Sequence, residues 1–390
     1  MSIFEGQLNL SVTSASGVEA VTKRELEKLG FKIGPALYGR IGFSGDYTAM
    51  ARANMFLRTA NRVYINIAEF PAHTFDELYD SLYAVGWERI LPKNAAVTVD
   101  AKSSKSKLFA LSALQRVGKK AIAQRLMDKY RLNSLAETST PYHIEISLAD
   151  DLCTVALDTS GEGLHKRGYR PVVGLAPMKE TLAAAIIQLS IWKPDRPLID
   201  CFCGSGTIPV EAALIATDTA PGINRSFAFE KFANAPSVID IVRKEALDIQ
   251  KSDVKLRIWG YDIDNDSVKL ANLHAEKAGV KQHIHFQNMD MRNVSSRFGY
   301  GVIISNLPFG ERLLEERELI PLYRDFGKMY RSLDRWSCYA FTSYPDFQKH
   351  FGMRADKTRK LYSSQLECTL YQYLGAKPPK NENNYYGDKL

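Results

Sequence analysis

The C-terminal half of the chain alternates short apolar runs with longer amphipathic segments. This alternation is typical of a doubly wound, mostly parallel sheet with helices on its faces. The runs predicted as strands are residues 198–200, 257–261, 284–287, 302–305, 338–342 and 368–374. We therefore predict an α/β domain over residues 178–376.

The first 160 residues show a different order of strands and helices. Residues 1–73 give the order βαββαβ, which suits a small α+β domain of ferredoxin type. Residues 74–160 begin with a helix and continue with a clearly alternating strand over 96–102, a helix over 112–130 and two further strands. We assign this second range as a basic domain that contacts RNA.

Two polar stretches limit the C-terminal domain. Residues 161–177 are glycine-rich and basic, which favours a connection between domains, although Arg167, Tyr169 and Arg170 combine charge with a ring that could stack on a base. The connection is the preferred interpretation. Residues 377–390 are polar and contain two prolines, so we expect a disordered tail.

Composition narrows the class of protein. No apolar run approaches the ~20 residues needed to cross a bilayer, and the first residues lack a basic region followed by an apolar one. We therefore expect a cytoplasmic protein without membrane contact. The five cysteines are odd in number and scattered, which indicates neither a disulfide framework nor a zinc site, and we expect no metal.

The net charge of +7 is informative mainly through its distribution. Between residues 102 and 131, nine basic residues stand against one acid, Asp128, which suits a phosphate-binding surface. From charge alone, a solvated helix face is an equally good explanation. The residues predicted to contact RNA are Lys102, Lys105, Lys107, Arg116, Lys119, Lys120, Arg167 and Arg170.

The first strand of the α/β domain leads into a glycine-containing turn and a helix, a pattern that binds ligands through backbone N–H groups. A dinucleotide site would need a third glycine where Pro209 stands, and a phosphate-binding P-loop would need a lysine after Gly206. S-adenosylmethionine remains as the candidate, beside the simpler alternative of a turn without a ligand. The predicted cofactor residues of this stretch are Asp200, Phe202, Gly204, Gly206 and Thr207.

Acidic side chains also follow the next two strands. In an open α/β sheet, ligands bind outside the carboxyl ends of the strands. Asp262 follows the second strand and could accept hydrogen bonds from ribose hydroxyls, whereas Asp290 follows the third and could receive an adenine amino group. With Asp200 they place three carboxylates at successive strand ends, as a nucleoside cofactor requires.

The fourth strand ends in Asn306-Leu307-Pro308-Phe309, which places an amide oxygen, a backbone carbonyl and an aromatic ring in one short loop. The exocyclic amine of a nucleobase is a poor nucleophile because its lone pair is delocalised into the ring. Asn306 Oδ1 and the Leu307 carbonyl could accept the two amine hydrogens, while Phe309 stacks on the base. We predict Asn306, Leu307, Pro308 and Phe309 as the catalytic loop, with Asn306 also beside the cofactor.

These motifs together resemble the amino-methyltransferases that combine a [D/N/S]-P-P-[Y/F/W] loop with a D-P-F-x-G-S-G-T turn. Up to about residue 375 the chain is similar to the THUMP-domain RNA methyltransferases that modify the N2 amine of guanine, once labelled N6-adenine methylases. The motifs that carry this similarity are residues 165–170, 177–182, 198–207, 220–222, 306–309 and 366–368.

The resemblance implies a Rossmann-like methyltransferase domain preceded by ferredoxin-like and THUMP domains. It implies S-adenosylmethionine on the turn of Gly204 and Gly206, its ribose on Asp262 and its adenine on Asp290, with the target base on residues 306–309. The implied substrate is a guanine of RNA, in 23S rRNA.

This sequence departs from the family pattern at two positions. Cys201 replaces a proline of the cofactor motif, which we expect to be tolerated, and Leu307 replaces the first proline of the catalytic motif, which we expect to slow the reaction. A tRNA guanine-N2 methyltransferase, an N6-adenine methyltransferase and a noncatalytic RNA-binding assembly factor remain alternatives. The modified nucleotide, the use of free or assembled RNA, and the oligomeric state are left open.

Overall fold

The structure, a computed structural model, describes residues 3–37, 39–170, 178–309 and 316–378. The end of the predicted connection (171–177), the residues after the catalytic loop (310–315) and most of the predicted tail (379–390) lie outside these ranges. The described elements are β1 Leu8–Ser14, α1 Glu19–Lys28, β2 Lys32–Leu37, β3 Arg40–Gly45, α2 Tyr47–Phe56, β4 Ala60–Pro71, α3 Phe75–Ala84, β5 Ala96–Ser104, α4 Leu111–Tyr130, β6 Pro141–Ala149, β7 Leu152–Asp158, α5 Glu180–Leu189, β8 Leu198–Asp200, α6 Thr207–Ala216, α7 Ile239–Asp248, β9 Ile258–Asp262, α8 Asn265–Lys277, β10 Ile284–Asn288, β11 Val302–Asn306, α9 Glu316–Ser332, β12 Ser337–Thr342, α10 Phe347–Phe351, β13 Lys357–Ser363 and β14 Leu366–Tyr373.

The chain divides into two compact units, and neither unit is continuous in sequence. The first unit comprises Met1–Ser14, Thr22–Leu164 and Arg225–Ala246, and the second comprises Ala15–Val21, His165–Asn224 and Leu247–Leu390. The chain therefore passes from one unit to the other several times. No helix in the described ranges combines the length and apolar character that crossing a bilayer demands.

One seven-stranded sheet, of order β2-β3-β1-β4-β7-β6-β5, runs through the first unit. The ferredoxin-like and basic ranges meet in it where β4 pairs antiparallel with β7. β5 and β6 pair in parallel, because α4 returns the chain over the sheet between them. The boundary predicted at residue 73 therefore follows β4, a strand that belongs to the shared sheet, and the separation of the two ranges stays a prediction.

Residues 225–246 join the first unit although they lie within the sequence range predicted for the α/β domain. Their aromatic side chains are buried there: the ring of Phe232 stacks on that of Tyr142 with centroids 4.9 Å apart, and the hydroxyl of Tyr47 donates to the Phe229 carbonyl over 2.9 Å. Arg52 adds an ion pair to Glu245, with Nη2 and Oε1 2.8 Å apart. These contacts explain why residues 225–246 belong to the first unit.

The second unit confirms the predicted doubly wound fold. Its sheet has the order β10-β9-β8-β11-β12-β14-β13, in which the first five strands are parallel and β14 is antiparallel to both of its neighbours, β12 and β13. Side chains alternate between two hydrophobic clusters on opposite sheet faces, so that Val302 and Ile304 enter one cluster and Ile303 the other. Strand order reverses between β8 and β11, where ligands of such sheets bind.

Candidate active site

The carboxyl ends of four parallel strands bring the predicted site residues to one edge of the second unit. In the strand register, Asp200 of β8 lies beside Gly260 of β9, and Asp262 at the end of β9 lies beside Asn288 of β10. β11, which ends at Asn306, is the other neighbour of β8. The fold therefore collects residues that are about a hundred positions apart in the chain at the edge where a cofactor binds.

The turn after β8 depends on its two glycines in different ways. Gly206 has φ +82°, and a Cβ there would lie 2.9 Å from Ala271 Cβ and Phe286 Cζ, so only glycine fits against the helix and strand behind the turn. Gly204 has φ +50°, and a Cβ built on it would meet nothing within 4 Å among the described residues. The space over Gly204 is open on the side where a ligand would lie.

Asp200 is a buried carboxylate at the centre of the edge, 1% exposed. Its Oδ1 accepts a hydrogen bond from Phe202 N over 3.2 Å, and the hydroxyl of Ser305 also bonds to the carboxyl group. Burial raises the pKa of Asp200 to about 7, and the nearby negative charge of Asp262 adds to this effect. Asp200 is therefore poised to exchange a proton near neutral pH, and a cation placed beside it would favour the charged form.

Asp262 ties the cofactor turn to the second strand. Its Oδ2 accepts from Gly204 N over 2.8 Å and its Oδ1 from Asp264 N over 3.0 Å. A carboxylate has about four lone-pair positions, so both oxygens keep capacity for ribose hydroxyls. Asp264 caps α8 by accepting from the backbone N–H groups of Asp266 and Ser267.

Asp290, the residue predicted to face adenine, is engaged by one arginine. Its Oδ1 accepts from Arg292 N and its Oδ2 from Arg292 Nη1, both over 2.8 Å. The same guanidinium reaches Asp325, which lies 2.8 Å from Arg292 Nε. The carboxylate is thereby fixed in one orientation, and about a quarter of the side chain (26%) remains exposed for a further donor.

The predicted catalytic loop contains a buried hydrogen-bond acceptor. Asn306 Oδ1 is shielded from solvent and has no hydrogen-bond partner among the described residues. Leu307 is buried and its N–H donates to the Phe341 carbonyl over 2.9 Å, which continues the β11–β12 pairing beyond the strand end. Phe309 packs partly against the hydrophobic cluster of the same unit. The acceptor is thus held on a rigid strand end, where leaving it unbonded is costly.

Three residues that the sequence did not single out hold this site in place. Ser305 Oγ accepts from Cys201 N over 2.9 Å and so links the ends of β8 and β11. Buried His274 places Nδ1 2.9 Å from the Ser205 carbonyl; because a carbonyl only accepts, Nδ1 carries the proton. Tyr323 donates to the Pro308 carbonyl over 2.6 Å. Each acts through a backbone group, for which a sequence carries no motif.

Among the basic residues, two predictions need correction. Arg167 is 3% exposed and its Nε lies 3.4 Å from Glu211 Oε1, while Arg170 Nη1 lies 3.0 Å from Glu180 Oε1 in another buried pair. Neither guanidinium is available to a phosphate, because separating it from its partner would leave a buried charge uncompensated. Both arginines fasten residues 165–170 within the second unit, and the connection between domains stays a prediction.

The six other predicted RNA contacts lie on the first unit with exposed side chains. Lys102 pairs with Glu145 over 2.9 Å and Lys119 with Glu137 over 2.9 Å, whereas Lys120 lies 5.8 Å from the ring centroid of Tyr79. The three remaining residues are Lys105, Lys107 and Arg116. No cluster of His, Cys, Asp and Glu suited to a metal ion occurs in the part of the chain that the structure describes.

Models of three known domains match the chain in order. The "RlmL ferredoxin-like domain" matches residues 9–64, the "THUMP domain" residues 72–158, and the "RMKL-like, methyltransferase domain" residues 167–372. The last of these covers more than half of the sequence.

Individual proteins are similar over nearly the whole chain. YpsC of Bacillus subtilis (strain 168), assigned as an RNA methyltransferase, is 40% identical over 378 residues, which cover 96% of this chain and 97% of YpsC. The "Ribosomal RNA large subunit methyltransferase K/L" of Syntrophotalea carbinolica is 33% identical over 95% of this chain, which spans 54% of that longer protein. The solved structure of SMU.472, assigned as a methyltransferase and complexed with SAH, superposes with a TM-score of 0.89 at 40% identity, covering 96% of this chain and 100% of that one.

Proposed function

Because the chain belongs to the RMKL-like methyltransferase family, and is therefore an S-adenosylmethionine-dependent RNA methyltransferase, we propose that it methylates the exocyclic N2 amine of a guanine in 23S rRNA. The K/L relative, whose name gives the large-subunit ribosomal RNA, supports the choice of RNA. The choice of an amine as the methyl acceptor is supported by the chemistry of the loop at Asn306.

Asn306 Oδ1, buried and without a hydrogen-bond partner in the described ranges, is the observation that carries this proposal. An exocyclic amine offers two N–H donors, and the loop offers Asn306 Oδ1 for one and the Leu307 carbonyl for the other. Accepting both hydrogens would draw the nitrogen towards a tetrahedral shape with its lone pair free. A carbon nucleophile would present no such donors and would leave Asn306 Oδ1 unsatisfied.

The remainder of the loop would fix the plane of the base. Phe309 would stack on the base. The hydroxyl of Tyr323 donates to the carbonyl of Pro308, the residue before Phe309, and so holds the loop in place. Burial raises the pKa of Tyr323 to about 12, so its hydroxyl stays protonated and keeps donating across the working pH range. Positioning of this kind lowers the barrier by removing the freedom of the reacting groups before the reaction.

The cofactor would lie along the strand ends, with Gly204, Gly206 and Thr207 beneath it and Phe202 beside it. Its sulfonium supplies an electrophilic methyl group, so the amine needs no strong base before it attacks. When bound, this cofactor would supply the methyl group to the amine nitrogen and leave as the neutral thioether, and the amine proton would pass to solvent. Asp200 would hold the ammonium group, Asp262 the ribose and Asp290 the adenine amine.

The test is methyl transfer from labelled S-adenosylmethionine to ribosomal RNA from a strain that lacks the gene, followed by nucleoside analysis. We expect label in N2-methylguanosine of 23S rRNA. Label in N6-methyladenosine, in a carbon-methylated nucleoside or only in tRNA would contradict the proposal. Parallel reactions with tRNA and duplex DNA separate the alternative substrates.

A further inference from the structure

Phe109, an aromatic residue of the first unit, has a side chain that is largely exposed and that the fold does not use for packing. Phe109 precedes α4 and is 78% exposed, the largest exposed fraction among the large apolar side chains of the described residues, and Leu111 beside it is 45% exposed. Fully burying a Phe side chain stabilises a protein by roughly 1.5–3 kcal/mol, and this ring contributes little of that. Single exposed apolar side chains are common on protein surfaces, so the surroundings of Phe109 decide whether it contacts a partner.

Hydrogen bonds hold the backbone of the loop that carries Phe109 in one conformation. Ser103 Oγ donates to the Leu108 carbonyl over 2.7 Å, and Leu108, next to Phe109, is buried. The neighbouring turn between β6 and β7 adds a clamp, because Asp151 Oδ1 accepts from Lys107 N over 2.7 Å while Asp151 N donates to Ser106 Oγ over 3.0 Å. The ring is therefore presented from a fixed backbone, which reduces the entropy lost on binding.

Three cations that lie within seven residues of Phe109 in the sequence form no ion pair in the described ranges. Lys105, Lys107 and Arg116 are exposed, and in the described ranges none of them has a carboxylate within ion-pair distance, in contrast to Lys102, Lys119 and Lys129 on the same unit. Lys105 also has φ +49°, a left-handed conformation that is uncommon for a residue with a side chain. Asp151, the acid of the neighbouring turn, accepts from the Lys107 N–H, lies 3.3 Å from His73 Nδ1 and interacts with the Lys107 charge without forming an ion pair.

An exposed ring on a segment whose cations form no ion pair matches one class of partner. A protein surface docking on Phe109 would have to desolvate the three cations, and two apolar side chains offer far less area than the ~800 Å² per partner of a stable protein interface. An unpaired nucleotide satisfies both features, since its base has a flat face for the ring and its phosphates carry the opposite charge.

We propose that Phe109 stacks on an unpaired base of the substrate RNA while Lys105, Lys107 and Arg116 hold the flanking phosphates. This inference rests on RNA being the substrate and specifies how the first unit recognises it. Recognition of this kind selects single-stranded loops or ends, because a base in a continuous duplex has both faces covered.

The experiment measures binding of the full-length protein to a short single-stranded oligoadenylate and to an RNA duplex of equal length, over a series of salt concentrations. Phe109→Ala should weaken binding to the single strand by about 5- to 100-fold, the range expected when one stacking interaction is removed. The slope of log K against log salt should stay unchanged, because the substitution removes no positive charge. Duplex binding should not change.

Two further variants test whether the contact with RNA depends on an aromatic ring at position 109. Phe109→Trp should restore single-strand binding to within about twofold, since stacking needs only an aromatic face. Leu111→Ala, which removes the neighbouring exposed apolar side chain, should leave binding unchanged. Phe109 is exposed, so none of these variants should lower thermal stability.

The proposal is overturned if Phe109→Ala binds the single strand as tightly as the unsubstituted protein, if it lowers the salt slope, or if it weakens duplex binding equally. It is also overturned if the variant changes the oligomeric state in light scattering instead of RNA affinity, which would assign the ring to contact between copies. Failure of the unsubstituted protein to bind any RNA would remove the RNA assignment itself and this site with it.

Discussion

Asn306 is the residue on which the proposed chemistry most depends. Replacing it by Ala removes the acceptor for the amine hydrogen, and we expect the rate of methyl transfer to fall by about 100- to 1,000-fold, as for loss of one fixed polar group in an active site. Stability should be unchanged or slightly higher, because Asn306 Oδ1 has no partner among the described residues. Single-turnover transfer and thermal unfolding measure these two quantities, and calorimetry with SAH should show an unchanged Kd.

Asn306→Asp serves as the control for this prediction because it keeps an acceptor oxygen in place, so it should retain more transfer than Asn306→Ala. Equal loss in both variants, or a Kd for SAH that rises along with the loss of rate, would mean that the side chain holds the cofactor rather than the base.

The raised pKa of Asp200, about 7 because of burial, predicts that cofactor binding depends on pH. An ammonium group beside the carboxylate requires it to be charged, so below about pH 7 binding must release a proton, and affinity should fall by up to tenfold per pH unit. Calorimetry with SAH in buffers of different ionisation enthalpy should detect that proton at about pH 6 and not at about pH 8.

The same shift affects the protein without cofactor. Because the pKa of Asp200 in the folded state lies above its ordinary value of 3.8, the folded state holds the extra proton, and this contribution to stability is lost as pH rises from about 4 to 7. Asp200→Asn should remove both effects. Proton release that persists in Asp200→Asn would assign the titration to another group.

At the residue scale, the sequence predicted polar groups at strand ends better than it predicted the roles of arginines. A strand followed by an acid has a defined place in a parallel sheet, so Asp200, Asp262 and Asp290 could be located from the strand pattern alone. Arg167 and Arg170 carry the same charge whether buried or exposed. Their carboxylate partners, Glu211 and Glu180, occupy buried positions of helices that a pattern cannot distinguish from surface positions.

At the scale of elements, two glycines in the turn between β8 and α6 allow effects on folding and effects on cofactor binding to be tested separately. We expect Gly206→Ala to lower the free energy of unfolding by about 1–3 kcal/mol, because its Cβ would press on Ala271 and Phe286. Gly204→Ala should cost only about 1 kcal/mol of left-handed strain, yet its Cβ would enter the open space above the turn and weaken cofactor binding.

Urea unfolding and SAH calorimetry on both glycine variants make the comparison, each variant acting as the control for the other. Intact cofactor affinity in Gly204→Ala would show that the open space is not the cofactor site.

One strand of the second unit, β13, was not predicted from the sequence, and its position in the sheet explains why. β13 has the sequence Lys-Thr-Arg-Lys-Leu-Tyr-Ser, and its charges suit the edge strand that it forms beside β14. An edge strand needs little apolar alternation, so the pattern used for the central strands did not detect it. The central strands of the second unit were placed to within about two residues, since burial on both faces leaves a clear apolar signal.

For the whole molecule, the distribution of charge predicts how RNA affinity responds to salt. Neutralising Lys105, Lys107 and Arg116 together should weaken binding to every RNA and reduce the slope of log K against log salt by about 0.7–0.9 for each phosphate that is no longer neutralised. Lys129→Ala is the control, because Lys129 already lies 3.9 Å from Glu88 on the same unit. An unchanged slope in the triple variant would place the phosphate-binding surface elsewhere.

The order of domains along the chain was predictable, but the composition of the two units was not. Periodicity identifies strands and helices locally, whereas the shared sheet of the first unit depends on the pairing of β4 with β7, which are about ninety residues apart. Such long-range pairing has no local signature.

The interleaved connectivity of the units has a consequence for synthesis on the ribosome. The first unit is incomplete until residue 246 has been synthesised. Until then the rings of Phe4, Tyr47 and Tyr142 lack their packing partners Phe229 and Phe232, although residues 165–224 of the second unit have already been made. A gene cut at residue 164 would yield a fragment of the first unit with an uncovered aromatic face, and its complement would carry the aromatic segment of residues 225–246 with no sheet to pack on. Neither half is a natural module, and a shortened enzyme would have to keep both.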